Sequence, residues 1–369
     1  MRFPIFALER NQTLHENNVR INLTESGVHA CRLAELMTPS EQAALAELPL
    51  GYGHTDGTPR LRQAIADWYP GAAPENVLVA HGSSEANLLA LTALLSPGDE
   101  IAVVTPNFLQ LDGLARALGI TVINVALSAG HGWQPEPERI AAALTPRTRL
   151  VTLCDPNNPT GVLMSAGARQ ALAAMCDQHG VWLHVDEIYR GAEIDGGPSP
   201  TAWGLAPRVI VSGGLSKSFA CPGLRLGWLI APPEIVRACH ERQDYTTIGT
   251  GTLAQAIGAH VLQPALRERV LARGRGILSR GRDTVTAWVR ERNGWSLVRP
   301  DSGGMAFLSY EAGPPSEDLV ASLREEESVF VCAGAWFGLD GHIRIGIGVE
   351  HDHLVEGLAA IDRFMARRA

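Results

Sequence analysis

Between residues 75 and 231, short apolar runs alternate with amphipathic stretches, and only a few folds accept that order. The apolar runs predict strands at Asn76–Ala80, Ile101–Thr105, Leu150–Leu153, Val181–Val185, Val209–Ser212 and Leu226–Ala231. Several lack a polar face, as strands buried on both sides of a parallel sheet do. Between them the helical period predicts helices that include Ser84–Leu95, Gln110–Leu118 and Ala166–His179. This alternation indicates an α/β domain whose mainly parallel sheet is covered on both faces. After residue 250 the pattern changes. Two long helical stretches over roughly Thr252–Asn293 precede strand-like pieces at Met305–Tyr310, Val329–Cys332 and Ile343–Gly346, and a final helix covers His353–Ala366. The expectation is a large domain over residues 45–250 and a smaller α+β domain built from residues 1–44 and 251–369.

A chain of 369 residues is long for one core, in keeping with two packed domains. The net charge of −8 argues against nucleic acid as the main partner, because phosphate neutralisation needs a basic face. No apolar run reaches the roughly 20 residues that cross a bilayer. The opening Met1-Arg2-Phe3-Pro4 lacks the apolar stretch of a signal peptide. Six scattered cysteines form no CxxC pair, which suits a reducing cytoplasm and offers no zinc pattern. Among 31 basic residues only one is lysine, Lys217. Any chemistry that needs a side-chain amine must use it.

Ser212-Gly-Gly-Leu-Ser-Lys-Ser-Phe219 places Lys217 on a loop just past a strand's C-terminal end, where open α/β sheets bind ligands. A lysine there can form a Schiff base, or it can be an ordinary surface residue. Asp155-Pro-Asn-Asn-Pro-Thr-Gly161 fixes Asn158 on a turn beyond another strand. His184-Val-Asp-Glu-Ile-Tyr189 puts Asp186 at the tip of the next, either to pair with a protonated ring nitrogen or to cap a helix. Ala80-His-Gly-Ser-Ser-Glu-Ala86 runs from strand through glycine turn to helix, a place where backbone amides can hold a phosphate. Taken singly, each motif has a plain structural reading.

Their order and spacing together are specific. Gly82-Ser83-Ser84, then Asn158, then Asp186 and Tyr189, then Ser216-Lys217, then Arg225 resembles the fold-type I pyridoxal-phosphate (PLP) enzymes, the class I/II aminotransferases. The resemblance extends from Tyr52 to Arg344 and implies an aspartate aminotransferase-like fold with PLP as cofactor. It implies that Lys217 is the Schiff-base lysine and proton shuttle, that Asp186 pairs the pyridinium nitrogen, and that Asn158 and Tyr189 reach the phenolic oxygen. By the same resemblance Phe108 stacks on the ring, while Gly82, Ser83, Ser84, Ser216 and Arg225 hold the phosphate. Tyr52 is similar to a tyrosine that reaches the phosphate of a partner subunit, which implies a homodimer. Arg344 is similar to the arginine that grips the substrate carboxylate. One departure stands out: Gly214 occupies a position, three before the lysine, where a hydroxyl residue is common.

The fold leaves the reaction open. Thr24-Glu-Ser-Gly-Val-His29, His81-Gly-Ser-Ser-Glu-Ala86 and Asp244-Tyr-Thr-Thr-Ile248 are similar to the capreomycidine synthase-like cyclases, PLP enzymes that act on hydroxylated arginine. On that resemblance Glu9 binds a guanidinium, Gly27 lies against the substrate, and His29 is the general acid for a departing hydroxyl. Ordinary transamination to a 2-oxo acid is the alternative. A non-catalytic, DNA-binding relative would need a basic domain ahead of the fold, and the chain is acidic.

Overall fold

A computed structural model describes residues 2–311 and 313–368; Met1 and Ala369, the outer limits of the expected small domain, lie outside the described residues. A seven-stranded sheet orders its strands as Val77–Ala80, Gly227–Ile230, Val209–Gly214, Trp182–Asp186, Thr148–Cys154, Glu100–Thr105 and Thr121–Ala126. Gly227–Ile230 runs antiparallel to both neighbours, and the other neighbouring pairs are parallel. The strands Val77–Ala80, Glu100–Thr105 and Val209–Gly214 are buried along their whole length, which explains their lack of a polar face. Six strands match the patterning. The seventh, Thr121–Ala126, lies at the sheet edge, where exposed Thr121 and Asn124 interrupt its apolar run.

The C-terminal part carries an antiparallel sheet ordered Cys332–Ala333, His342–Gly346, Met305–Tyr310 and Trp295–Leu297. The stretch expected as one strand at Val329–Cys332 divides. Val329–Phe330 pairs in parallel with Ile21–Asn22 of the N-terminal segment, whereas Cys332–Ala333 joins the antiparallel sheet. The helical tract splits into Thr252–Val261 and Pro264–Arg290, because Pro264 has no N–H to continue a helix and is well placed to begin one.

Core membership bears on where the two units divide. Ile257, Val261, Leu266, Val270 and Leu271 belong to the core of the large sheet, as do Leu36 and Met37. Leu278, Val285 and Trp288, further along the same helix, belong to the core of the small sheet with Leu8, Ile21 and Leu23. We therefore propose that the long helix Pro264–Arg290 spans both units and that the change of core falls between Leu271 and Leu278, rather than at residue 250.

Candidate active site

The C-terminal ends of the central strands open into a cavity of about 550 Å³. Its lining includes Glu9, Ser83, Ser84, Phe108, Asn158, Asp186, Tyr189, Ser216, Lys217, Arg225 and Arg344, so eleven of the residues singled out in the sequence meet at one place. Gly82 lies directly behind it: a Cβ there would sit 2.5 Å from Arg225 Nη2.

Each side chain is placed by its element. Asp186 ends the strand Trp182–Asp186, where its Oδ2 accepts from Asn87 Nδ2 (3.0 Å) and its Oδ1 from the Ile188 amide (3.1 Å). Behind it, His184 is wedged between Thr152 Oγ1 (2.8 Å from Nδ1) and Ser212 Oγ (3.0 Å from Nε2). Burial holds the His184 imidazole down at about 4, so this support is neutral at physiological pH. Burial also raises Asp186 above the usual carboxylate range, although hydrogen bonds from Asn87, Ile188 and Ser212 oppose it. Among the described residues no cation pairs with it, and a protonated ring nitrogen would supply one.

At one end of the cavity, Gly82 precedes the helix Ser83–Leu94 and leaves its first amides without a side-chain cap. Arg225 closes this corner from a left-handed backbone (φ 50°), with Nη1 donating to Ser216 Oγ (3.3 Å) and Pro222 O (3.1 Å). Such a backbone costs an arginine about 1 kcal/mol or more and is found where the surroundings require it. Free amides, three hydroxyls and a guanidinium fit a phosphate. The glycine at 214 has a steric cause: a Cβ would lie 2.9 Å from Leu226 O and 3.2 Å from Gly227 Cα, which leaves no room for a hydroxyl side chain.

At the other wall, Arg344 is buried and donates through Nη1 to Asn158 Oδ1 (2.8 Å) and through Nη2 to Cys332 Sγ (3.1 Å). Nη2 also donates to Thr24 O, and Nε has no partner among the described residues. The Tyr189 and Ser26 hydroxyls share a 2.9 Å hydrogen bond. The N-terminal helix Ala7–His15 brings Glu9 to the rim, while Phe6 meets the Phe108 ring edge-on at 5.0 Å.

The chain belongs to the class I and II aminotransferase family. The family's profile matches residues 17–361. The protein is therefore a PLP-dependent enzyme of aspartate aminotransferase-like fold. It is 31% identical over 336 residues to the arginine–pyruvate transaminase of Pseudomonas aeruginosa, covering 88% of this chain and 85% of that one. It is 30% identical over 355 residues to the capreomycidine synthase of Streptomyces vinaceus, covering 95% and 91%. Among solved structures, the PLP-dependent cyclase OrfR superposes with a TM-score of 0.88 at 26% identity, covering 100% of this chain and 99% of that one.

Two of the family-like residues stand apart from the cavity. Tyr52 is 93% exposed and lines a separate surface hollow with Leu50, Thr247, Ile248 and Leu253. His29 lines a different hollow with Arg273, Arg280 and Glu350, its Nε2 3.5 Å from Glu350 Oε1. The chain bends at Gly27, and the His29 amide donates to Gly348 O (2.8 Å). His29 is not among the residues that line the cavity.

Sequence reasoning also passed over Glu25. Lys217 Nζ donates to Glu25 Oε1 at 2.7 Å. Glu25 stands inside the motif Thr24-Glu-Ser-Gly-Val-His29, and an acid preceding a Ser-Gly bend was the available signal. Gly27 does lie at the site: a Cβ there would be 3.1 Å from Lys217 Cα and 3.2 Å from its Cδ.

Proposed function

We propose that this enzyme dehydrates and cyclises a hydroxylated arginine, with Lys217 carrying PLP. The observation that carries this reading is the polarity of the cavity. Arg344 in the cavity wall suits an α-carboxylate, while Glu9 at the rim suits a cationic side chain. The likeness to capreomycidine synthase supports the same substrate class.

Bound PLP supplies an electron sink for a carbanion at Cα. Asp186 would hold the ring nitrogen, Asn158 and Tyr189 the phenolic oxygen, Phe108 the ring face, and Ser83, Ser84, Ser216 and Arg225 the phosphate. Lys217 takes the Cα proton and passes a proton to the side-chain hydroxyl. The C–O bond breaks with its electron pair on oxygen, and water leaves. A guanidine nitrogen then bonds to the vacated carbon and gives up a proton, which returns through Lys217 to Cα. His29 has no part in this sequence.

Transamination is the second reading, favoured by the likeness to arginine–pyruvate transaminase. Incubation with arginine, hydroxyarginines and pyruvate, read by mass, separates the two. Loss of water without oxo-acid supports cyclisation, whereas oxo-acid formed only with pyruvate overturns it. In either case Glu9→Gln should raise KM for arginine-like substrates about 10-fold, the scale of one charge-assisted hydrogen bond, and leave neutral amino acids unaffected. Equal KM shifts for both classes would remove Glu9 from substrate recognition.

We further propose a homodimer. Leu50 (81% exposed), Tyr52, Ile248 and Leu253 line one surface hollow and leave large apolar side chains in water, as a monomer's surface rarely does in one patch. Twofold pairing through this patch would bring each Tyr52 to its partner. Sedimentation should show two chains, and a fully active monomer would count against the assignment. All six cysteines are free, eased by the reducing cytoplasm in which we place the enzyme.

A further inference from the structure

In the cofactor-free chain the Lys217 amine is held by an acid. Its Nζ donates to Glu25 Oε1 at 2.7 Å, and the same oxygen accepts from the amides of Ser26 and Gly27, each at 2.8 Å. The two backbone bonds fix the carboxylate. Gly27, packed on Lys217 Cα and Cδ, fixes the path of the lysine stem. Among the described residues, Glu25 is the acid paired with this amine. Desolvation pushes the Glu25 carboxyl up, but the Lys217 charge, the bond to it and the two amide bonds outweigh that and hold it at about 2. Glu25 is thus an acceptor throughout the working range of pH.

We propose that Glu25 is a positioning residue that holds the Lys217 ammonium in the cavity whenever that amine is free of the cofactor. This rests on Lys217 being the cofactor lysine, as argued above. During turnover the proton taken from Cα then stays on an amine that cannot swing into water, and it is available to the departing hydroxyl or for return to Cα. The same contact opposes cofactor attachment, which requires a neutral amine. Glu25 therefore favours proton transfer at the expense of loading speed. Glu9 lies at the rim and serves the substrate; Glu25 serves the base.

Since Lys217 is the sole lysine, its reactivity can be read in the cofactor-free protein without interference from others. Acetylation of Lys217 at neutral pH, followed by peptide mass, should run about 10-fold faster in Glu25→Gln, the scale of losing one charge-assisted hydrogen bond. In loaded enzyme the same variant should lose kcat about 10-fold with KM for neutral amino acids unchanged, and should return less of the original Cα hydrogen to product. Glu25→Asp, one methylene shorter, should fall between, and it substitutes for the glutamine variant if that one misfolds. Equal acetylation rates in wild type and variant would overturn the proposal. A cofactor adduct mapped away from Lys217 would instead sink the underlying reading, while leaving the acetylation result interpretable.

Discussion

Lys217→Ala should abolish both turnover and the borohydride-stable cofactor adduct. The wild-type enzyme reduced with borohydride should carry its adduct on the peptide containing Lys217, and no second lysine can replace it. Proton transfer by a positioned group alone is worth about 10²–10⁴ in rate, so activity should fall by at least that factor. An adduct on the N-terminal amine, or residual turnover near wild type, would refute the assignment. The variant should also be weaker in acid. Glu25 is held at about 2, below its ordinary 4.5, mainly by Lys217 against desolvation. A carboxyl lowered on folding contributes stability that is present above its unfolded value and lost as pH falls through its folded value. Without Lys217 that lowering shrinks, so the midpoint of acid unfolding should move to higher pH. An unchanged midpoint would mean that the Lys217–Glu25 pair adds nothing to the fold.

How far the sequence exposes this site depends on what each residue answers to. Asp186, Asn158, Lys217 and Arg225 sit at the ends of strands whose apolar runs are plain, and strand ends in a parallel sheet converge by topology. The residues on those ends were therefore legible as a group. Thr121–Ala126 was not, because an edge strand answers to one neighbour and half to water. The placement of His29 outside the cavity was not legible either, for a different reason. Residues 23–30 make no regular element, so nothing periodic says which way each side chain faces, and the direction is set by contacts with Gly304, Gly346 and Gly348 more than 270 positions away. In such a segment residue type suggested His29, whereas geometry selects Glu25. The long helix Pro264–Arg290 gives the same lesson at larger scale: its own period is continuous, and only the packing partners reveal that its two ends serve different cores.

Asp186→Asn should cost catalysis and strengthen the cofactor-free fold. In the loaded enzyme the change would remove the charge that, on the proposed reading, keeps a ring nitrogen protonated. Losing one preorganised electrostatic partner costs about 10²–10³ in kcat. Much of the cofactor affinity should persist through the phosphate corner at Ser83, Ser84 and Arg225. In the cofactor-free protein the sign reverses. Burial raises the Asp186 carboxyl above its unfolded value, and among the described residues no cation offsets it; the neighbouring His184 is neutral. An acid raised on folding opposes the folded state wherever it is ionised in both forms, so the penalty is greatest above its folded value and vanishes below the unfolded one. Asparagine removes that penalty, and Asn87, whose Oδ1 now has no partner, can turn its amide to accept from the new N–H. The melting temperature of the cofactor-free variant should exceed that of wild type at neutral pH, and the two should converge as pH falls into the carboxylate range. A cofactor-free variant less stable than wild type at neutral pH would show that the hydrogen bonds to Asp186 outweigh its burial. A loaded variant with wild-type kcat would reduce Asp186 to the cap of the Ile188 turn.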